Sequence, residues 1–216
     1  MKKGIIFDLD GTLLDSLEDL HRCTNYILRQ FGCPERSMQE IRQFVGNGAR
    51  QLIRLALPGK DDDPELDVVF EAYQTYYNAT CNEGSTHAYP GILEALAAIR
   101  EKYPVAVVSN KPDEAVRALC RDFFGDIYAL GVTPDCPRKP HRAMVDKAME
   151  AIGVDACVYV GDSEVDVETA KNAGVPCLSV LWGFRDKEIL EQVGAKHFCN
   201  SAEELLPMLE KMMEAD

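Results

Sequence analysis

The sequence predicts an α/β fold: a parallel sheet with helices on both faces, and an all-helical segment inserted after the first strand. Two observations support this prediction. From residue 91 onward, short and continuous apolar strands alternate with helical segments, a pattern typical of parallel sheets that are buried on both faces. One strand, at residues 4–8, stands apart at the start of the chain and precedes four helical segments without a strand between them.

The four inserted helical segments are predicted from apolar residues at helical spacing. Ser16 is expected to cap the first of them, and Ser37 with Glu40 forms a capping-box pattern at the start of the second. The insertion is predicted to cover residues 15–83 as a small helical domain. The α/β domain would then comprise residues 1–14 and 84–216.

The second half of the chain supplies the other elements of the predicted α/β domain. Its predicted strands cover residues 104–108, 127–130, 157–160, 175–181 and 196–198. Its predicted helices cover residues 91–102, 113–123, 140–152, 165–173, 186–193 and 201–213. Because strands and helices alternate, each strand is expected to join the sheet of strand 4–8 in parallel orientation.

Composition and charge exclude several classes of partner. The 216 residues include 36 acidic and 23 basic side chains, for a net charge of -13, and this balance disfavours nucleic acids and anionic membranes as partners. We find no apolar run near the roughly 20 residues of a membrane helix. The eight cysteines are scattered without a Cys-x-x-Cys pair, so neither disulfides nor a zinc site is expected. A cytoplasmic location follows as the expectation.

Two carboxylates follow the first strand. Asp8 and Asp10 are two residues apart, so they point the same way at roughly 6–7 Å, and bare charges at that distance repel by roughly 2–3 kcal/mol at an effective dielectric near 20. A divalent cation, a lysine or a bound proton could compensate. Gly11 lets the backbone turn so that amide groups face an anion. The pattern predicts a metal-assisted anion site; the alternative is an ordinary turn after a strand.

Two later stretches place further polar groups at the same sheet edge. Ser109-Asn110-Lys111 follows the second predicted strand, although Ser109 or Asn110 could instead cap the next helix. Lys139 is predicted at the start of a helix, where a cation opposes the helix dipole and stability alone does not favour it. Both stretches are therefore candidates for the site of Asp8.

Strand 157–160 ends in an acidic stretch. Asp162 offers the hard oxygen ligand that suits Mg²⁺. Asp166 is either a second site residue or an acid at a helix N-terminus, and we weigh the two interpretations nearly equally. Since ligands bind beyond the carboxyl ends of parallel strands, all of these stretches are expected to meet at one edge of the sheet.

In order and spacing these stretches resemble the four motifs of the haloacid dehalogenase superfamily of phosphohydrolases. The matches are Asp8-Leu9-Asp10-Gly11-Thr12, Ser109, Lys139 and Gly161-Asp162-Ser163-Glu164-Val165-Asp166. Segments 10–16, 108–112 and 181–185 look most like the branch of phosphoglycolate phosphatases and pyrophosphatases. The branch usually has proline where Arg142 stands. The resemblance implies a Rossmann-like core and a helical cap domain.

The resemblance also implies residue roles. Asp8 would be the nucleophile, Asp10 the general acid and base, and Ser109 and Lys139 would stabilise the transferring phosphoryl group. Mg²⁺ would be the cofactor. Its implied ligands are Asp8, the Asp10 carbonyl, Asp162 and Asp166. The implied substrate-binding residues on the core are Leu9, Gly11, Thr12 and Asn110.

Substrate choice is expected to depend on the cap domain. In the loop at residues 45–50, Asn47 and Arg50 are candidates for substrate binding, and Arg50 could pair with a substrate carboxylate. The alternative is a plain turn between helices with Arg50 in solvent.

The sequence thus predicts a Mg²⁺-dependent phosphatase for a small phosphate ester, with 2-phosphoglycolate as the first candidate, acting as a monomer or homodimer. One alternative is a β-phosphoglucomutase-like sugar phosphomutase, whose branch typically has an acid where Gly161 stands and lacks one at Asp166. A pyrophosphatase of the same superfamily is another. A phospho-accepting regulatory domain fits less well, since such domains have no cap.

Overall fold

The computed structural model describes residues 1–59, 64–81 and 84–214. It divides into two compact units, one formed by Met1–Asp15 with Ala88–Asp216 and the other by Ser16–His87. Residues 82 and 83, at the predicted end of the insertion, lie outside the described residues. The roles of the two units as catalytic core and cap stay predictions.

The larger unit is built on a six-stranded parallel sheet. The strands of the chain are β1 (Lys3–Phe7), β2 (Leu14–Asp15), β3 (His87–Ala88), β4 (Val105–Pro112), β5 (Tyr128–Val132), β6 (Ala156–Gly161), β7 (Cys177–Val180) and β8 (His197–Cys199). The sheet has the order β5-β4-β1-β6-β7-β8, and β2 pairs with β3 in a separate two-stranded sheet. The predicted α/β fold with a parallel sheet is confirmed, and β1 lies at its centre.

Side chains of β1 pack on both faces of the sheet, which explains its continuous apolar sequence. Ile5 and Phe7 belong to one buried cluster, with Val107 and Val160 from the neighbouring strands. Ile6 belongs to a second buried cluster on the opposite face. Because neighbouring residues of a strand point to opposite faces, only an uninterrupted apolar run satisfies both clusters.

Helices cover both faces of the sheet and form the smaller unit. In chain order they are α1 (Leu17–Gln30), α2 (Met38–Phe44), α3 (Ala49–Ala56), α4 (Leu66–Thr80), α5 (Ile92–Lys102), α6 (Asp113–Phe124), α7 (Ala143–Ile152), α8 (Glu164–Ala173), α9 (Lys187–Gln192) and α10 (Ala202–Glu214). Helices α1 to α4 belong to the smaller unit. Across the part of the chain that the structure describes, no helix combines the length and apolar character needed to span a membrane.

Buried tyrosines and one buried aspartate hold the smaller unit together. Tyr73 and Tyr77 on α4 are buried and stack with ring centroids 5.6 Å apart. Asp19 on α1 accepts hydrogen bonds from the backbone amides of Ser85 and Thr86 at 3.1 and 2.7 Å. This carboxylate therefore ties the end of the insertion to its first helix. Burial acts to raise the pKa of Asp19, but hydrogen bonds from the Thr86 hydroxyl, from Arg22 and from the two backbone amides hold it below the usual value.

Two of the capping predictions have different outcomes. Ser37 and Glu40 form the predicted capping box, with the Ser37 amide 2.8 Å from the Glu40 carboxylate. Ser16 stands at the predicted N-cap position of α1, but its side chain makes no capping hydrogen bond.

Candidate active site

The polar stretches predicted to converge lie at the carboxyl ends of three adjacent strands. Phe7, the last residue of β1, pairs with Val107 of β4 on one side and with Val160 of β6 on the other. The next residues along these strands therefore bring Asp8 between the polar end of β4 and the acidic stretch that follows β6. The arrangement matches the edge where parallel sheets bind their ligands.

Lys139 lies at the centre of the buried polar groups. Its side chain is 2% exposed, and its ammonium nitrogen lies 2.7 Å from Asp8 Oδ1 and 2.8 Å from Asp166 Oδ1. It also donates to the Tyr159 hydroxyl at 3.0 Å. Burial disfavours the charge, but Asp166 and Asp8 outweigh burial and raise the pKa of Lys139. The ammonium thus has an acceptor for each of its three N–H groups and stays charged.

Three buried carboxylates form a possible metal site. Among residues 1–59, 64–81 and 84–214, one set of acids brings its oxygens within 4.8 Å of one another, and its members are Asp8, Asp162 and Asp166. Burial and the charge of Asp166 raise the pKa of Asp8 well above its usual value. The same two causes raise the pKa of Asp162 to about 7. Without further positive charge, the cluster favours bound protons over full ionisation.

The charge of the cluster fits a divalent cation. Three carboxylates face one ammonium, that of Lys139, which leaves an excess of two negative charges when all are ionised. Arg185 also lies nearby, but its guanidinium pairs with Glu164 through Nε and Oε2 at 2.6 Å. Carboxylate oxygens are the ligands that Mg²⁺ prefers, so both the donor set and the charge fit this ion.

Asp162 is fixed by hydrogen bonds to both of its oxygens. The Thr12 hydroxyl donates to Oδ1 at 3.1 Å, and the Phe184 amide donates to Oδ2 at 2.7 Å. A Cβ atom on Gly183 would overlap the Asp162 side chain and the Gly11 carbonyl, so only glycine fits there. Thr12 was predicted to bind substrate; its hydroxyl contacts Asp162, and a substrate contact stays a prediction.

The two carboxylate oxygens of Asp166 contact different groups. Its Oδ2 accepts from the Ser163 amide at 3.1 Å and from the Ser163 hydroxyl at 2.6 Å, as expected of an acid at the start of α8. Its Oδ1 contacts Lys139 and accepts from the Tyr159 hydroxyl at 3.0 Å. Asp166 thus caps α8 and also contacts Lys139 of the acidic cluster, and its role in catalysis or metal binding stays a prediction.

Asp10 lies in a second charged contact. Lys111 donates to Asp10 Oδ1 at 2.6 Å, and the Ser109 hydroxyl lies 3.5 Å from Asp10 Oδ2. The Asp10 side chain is 13% exposed and that of Lys111 is 5% exposed. Asp10 is thus the more accessible of the two carboxylates of the first motif, since the side chain of Asp8 is 10% exposed.

The polar end of β4 is part of the strand, and this corrects two predictions. Strand β4 continues through Pro112, so neither Ser109 nor Asn110 caps the following helix. The Asn110 side chain donates to the Lys139 carbonyl at 3.0 Å and accepts from the Lys139 amide at 2.9 Å. Helix α7 begins at Ala143, three residues later than predicted, so Lys139 precedes the helix and does not start it.

The other predicted substrate-binding residues lie in two places. Leu9 is buried beside the two aspartates, and Gly11 has a positive φ of 85° and packs against Asp162. Asn47 lies between α2 and α3 in the smaller unit. Arg50 lies on α3, where its guanidinium contacts Asp67 at 2.5 Å and lies over the Phe70 ring at 5.6 Å. Substrate contacts of all four residues stay predictions.

Sequence reasoning missed several groups that shape the site. Tyr159 has the one hydroxyl group in the otherwise apolar strand β6, and this feature could have indicated a contact with the site. Lys111 lies in a predicted site segment, but no pattern in the sequence pairs it with Asp10. The amide of Phe184 and the close approach of Gly183 leave no signal in a single sequence, because both depend on how a loop folds back onto Asp162.

The site has an acidic centre at the carboxyl edge of a parallel sheet, with a buried lysine among the acids. This arrangement defines a class of α/β enzymes that act on anionic substrates. The comparisons identify the family. The family model for haloacid dehalogenase-like hydrolases matches residues 5–180, and the chain belongs to this family. A phosphoglycolate phosphatase from Rhodobacter capsulatus is 38% identical over 192 residues, which cover 86% of this chain and 87% of that protein.

Solved structures agree with this membership. A candidate phosphoglycolate phosphatase from Lactobacillus delbrueckii subsp. bulgaricus superposes with a TM-score of 0.87 at 34% identity and covers 97% of this chain and 99% of its own. CbbY from Rhodobacter sphaeroides, solved in complex with phosphate, has a TM-score of 0.78 at 26% identity and covers 97% of this chain and all of its own, 100%. The matches span nearly the whole chain.

Proposed function

We propose that this chain is a Mg²⁺-dependent phosphatase that hydrolyses a small phosphate monoester through an aspartyl-phosphate on Asp8. 2-Phosphoglycolate is the first candidate substrate, because a relative with 38% identity is named for that activity. The observation that carries the proposal is the position of Lys139, 2.7 Å from Asp8, within a cluster whose excess charge matches a divalent cation.

Asp8 would act as the nucleophile, and Asp10 would transfer protons. A carboxylate oxygen of Asp8 attacks phosphorus, and the bond from phosphorus to the ester oxygen breaks. Asp10 gives a proton to the departing oxygen and later takes a proton from the water that attacks the aspartyl-phosphate, which releases phosphate and restores Asp8. Ser109 lies beside Asp10 and would donate to an oxygen of the phosphoryl group.

Lys139 and the acids around it would provide the electrostatic part of catalysis. The ammonium keeps Asp8 in place and offsets the negative charge that gathers at phosphorus. Asp8, Asp162 and the Asp10 carbonyl would hold Mg²⁺, with Asp166 in support. When bound, Mg²⁺ would supply positive charge that stabilises the phosphoryl oxygens. Thr12 and the Phe184 amide keep Asp162 oriented toward the other acids.

The packing of Gly161 argues against the phosphomutase alternative. A Cβ atom at this position would overlap the Asp166 side chain. A side chain at position 161 and an acid at position 166 would therefore occupy the same space. The mutase branch has an acid at position 161 and none at 166, and this chain has the opposite pair. A pyrophosphatase would use the same acidic centre, so a substrate assay is needed to distinguish it from a phosphatase for monoesters.

The direct test is a substrate panel with the purified chain and Mg²⁺. We expect phosphate release from 2-phosphoglycolate and from a generic aryl phosphate, and loss of both activities when a chelator is added. Faster release from pyrophosphate than from any monoester would favour the pyrophosphatase. Conversion of glucose 1-phosphate to glucose 6-phosphate without free phosphate would favour the mutase. Full activity in chelator would contradict the role of the metal.

Replacing Asp10 with Asn is expected to slow turnover about 10²–10⁴-fold, the usual range for loss of a general acid or base. The substitution keeps the size and removes the transferable proton. The loss should be smallest for an aryl phosphate, whose leaving oxygen needs a proton least. Steady-state kinetics on an alkyl and an aryl phosphate check this, and equal rates for variant and parent on the alkyl ester would refute the role of Asp10.

The stability of the metal-free protein is expected to fall as pH rises. The pKa of Asp162 is raised from 3.8 to about 7, so the folded protein binds a proton that the unfolded chain has lost. Folding stability is therefore greatest below the unfolded pKa and declines between about pH 4 and pH 7. A divalent cation can replace the proton, so Mg²⁺ should raise the melting temperature more at about pH 8 than at about pH 5.

Asp162→Asn provides the control for this experiment. The amide keeps the hydrogen bond from Phe184 possible and removes the charge, so the variant should lose the part of the pH dependence that comes from Asp162 and most of the response to Mg²⁺, while the part that comes from Asp8 remains. Thermal unfolding in chelator and in Mg²⁺ measures both effects. If Mg²⁺ does not change the melting temperature of the parent protein at any pH, the assignment of Asp162 as a metal ligand is contradicted.

A further inference from the structure

A second buried lysine lies beside Asp10. Lys111 is on β4, its side chain is 5% exposed, and its ammonium nitrogen lies 2.6 Å from Asp10 Oδ1. A buried ammonium is costly unless it is paired, and this one is paired with the residue proposed to protonate the ester oxygen. Lys139 contacts Asp8, the proposed nucleophile, whereas Lys111 contacts Asp10, the proposed general acid.

The position of Asp10 limits where the leaving group lies. To protonate the ester oxygen, its carboxyl group must come within hydrogen-bond distance of that oxygen. A group in contact with Asp10 then lies close to the carbon that is bonded to the ester oxygen and to the substituents of that carbon. In 2-phosphoglycolate the carboxylate is joined to the carbon that bears this oxygen. The ammonium of Lys111 is therefore within reach of such a carboxylate.

Four carboxylates line the site, and they belong to Asp8, Asp10, Asp162 and Asp166. Lys139 and the proposed Mg²⁺ offset three of these charges, and Lys111 faces the fourth, that of Asp10. An ammonium has three donors around one nitrogen, so Lys111 can contact Asp10 and a substrate carboxylate together. Its burial strengthens the attraction, because surrounding water screens a buried charge less.

We propose that Lys111 selects phosphate esters whose leaving group has a carboxylate next to the carbon of the ester bond. This inference rests on the proposed phosphatase function and assigns its substrate class to a residue of the core. It differs from the sequence-based prediction that Arg50 pairs with the carboxylate. Arg50 is 48% exposed and contacts Asp67 in its own unit, whereas Lys111 lies on the same strand as Ser109.

The test compares two substrates on matched variants. Ethyl phosphate has the same chain as 2-phosphoglycolate but a methyl group in place of the carboxylate. In Lys111→Met we expect kcat/KM for 2-phosphoglycolate to fall roughly 10–100-fold more than for ethyl phosphate, the range for loss of a charged hydrogen bond, with most of the extra loss in KM. Lys111→Arg keeps the charge and should keep most of the preference.

Controls separate this role from others. Lys147→Met removes an exposed lysine that pairs with Asp135 at 3.1 Å and should leave the preference unchanged. Equal losses on both substrates would mean that Lys111 only positions Asp10, and would overturn the inference. A selective loss in Arg50→Met but not in Lys111→Met would overturn it in favour of Arg50. If Lys111→Met does not fold, Lys111→Gln replaces it and the same outcomes apply.

The outcomes also distinguish this inference from the proposed function. A parent enzyme that hydrolyses ethyl phosphate and 2-phosphoglycolate equally well overturns the role of Lys111 and leaves the phosphatase intact. A parent that hydrolyses neither ester nor an aryl phosphate with Mg²⁺ overturns the phosphatase, and the inference with it.

Discussion

Replacing Asp8 with Asn is expected to abolish phosphate-ester hydrolysis and phosphate labelling of the protein together. The carboxylate is the only group placed to attack phosphorus in the proposed mechanism, and an amide oxygen is a poor nucleophile. We expect kcat to fall by about 10⁴-fold or more, as in other hydrolases that lose the nucleophile of a covalent mechanism. Acid quenching with radiolabelled substrate should trap labelled parent protein and no labelled variant.

Two controls sharpen this experiment. Asp8→Ala guards against slow deamidation of the introduced Asn, which would restore the parent residue. Asp10→Asn should still accept label from an aryl phosphate, because the proposed role of Asp10 is proton transfer. A labelled Asp8→Ala protein would show that another residue is the nucleophile.

Replacing Lys139 with Met is expected to reduce both activity and stability. Activity should fall about 10²–10³-fold, since a charge that stabilises the transition state is lost. The metal-free protein should lose about 3–5 kcal/mol of unfolding free energy near neutral pH, the usual cost of leaving a buried charge without its partner. The partners affected are Asp8 and Asp166, at 2.7 and 2.8 Å. The stability loss should shrink in acid, where the carboxyl group of Asp8, whose pKa is raised by burial, binds a proton.

Lys147→Met is the matched control for the lost charge. Lys147 also pairs with an aspartate, but on the surface of α7, and exposed pairs contribute little. Urea unfolding of both variants and the parent, with kinetics on one substrate, gives the comparison. A Lys139→Met protein that matches the Lys147→Met protein in both measurements would refute the central position of Lys139.

The sequence predicted the parallel sheet and the acidic stretches of the site because their signals are local. The apolar run before Asp8 and the one before Gly161 marked buried strands, and the rule that ligands bind at carboxyl ends of parallel strands brought their acids together. Strand β4 was predicted too short because Asn110 and Lys111 have low strand propensity, although they continue the strand.

What the sequence could not show depends on contacts between distant segments. The pairs of Lys111 with Asp10 and of Asn110 with Lys139 join residues 101 and 29 positions apart. No pattern within one segment predicts such contacts.

A crystal structure of the chain with Mg²⁺ and fluoroberyllate tests the central claim most directly, because fluoroberyllate mimics a phosphoryl group bonded to a carboxylate. The account predicts beryllium bonded to an Asp8 oxygen, with Mg²⁺ held by the carboxylates of Asp8 and Asp162. Fluoroberyllate bound elsewhere, or these two carboxylates separated by solvent with no ion between them, would contradict it.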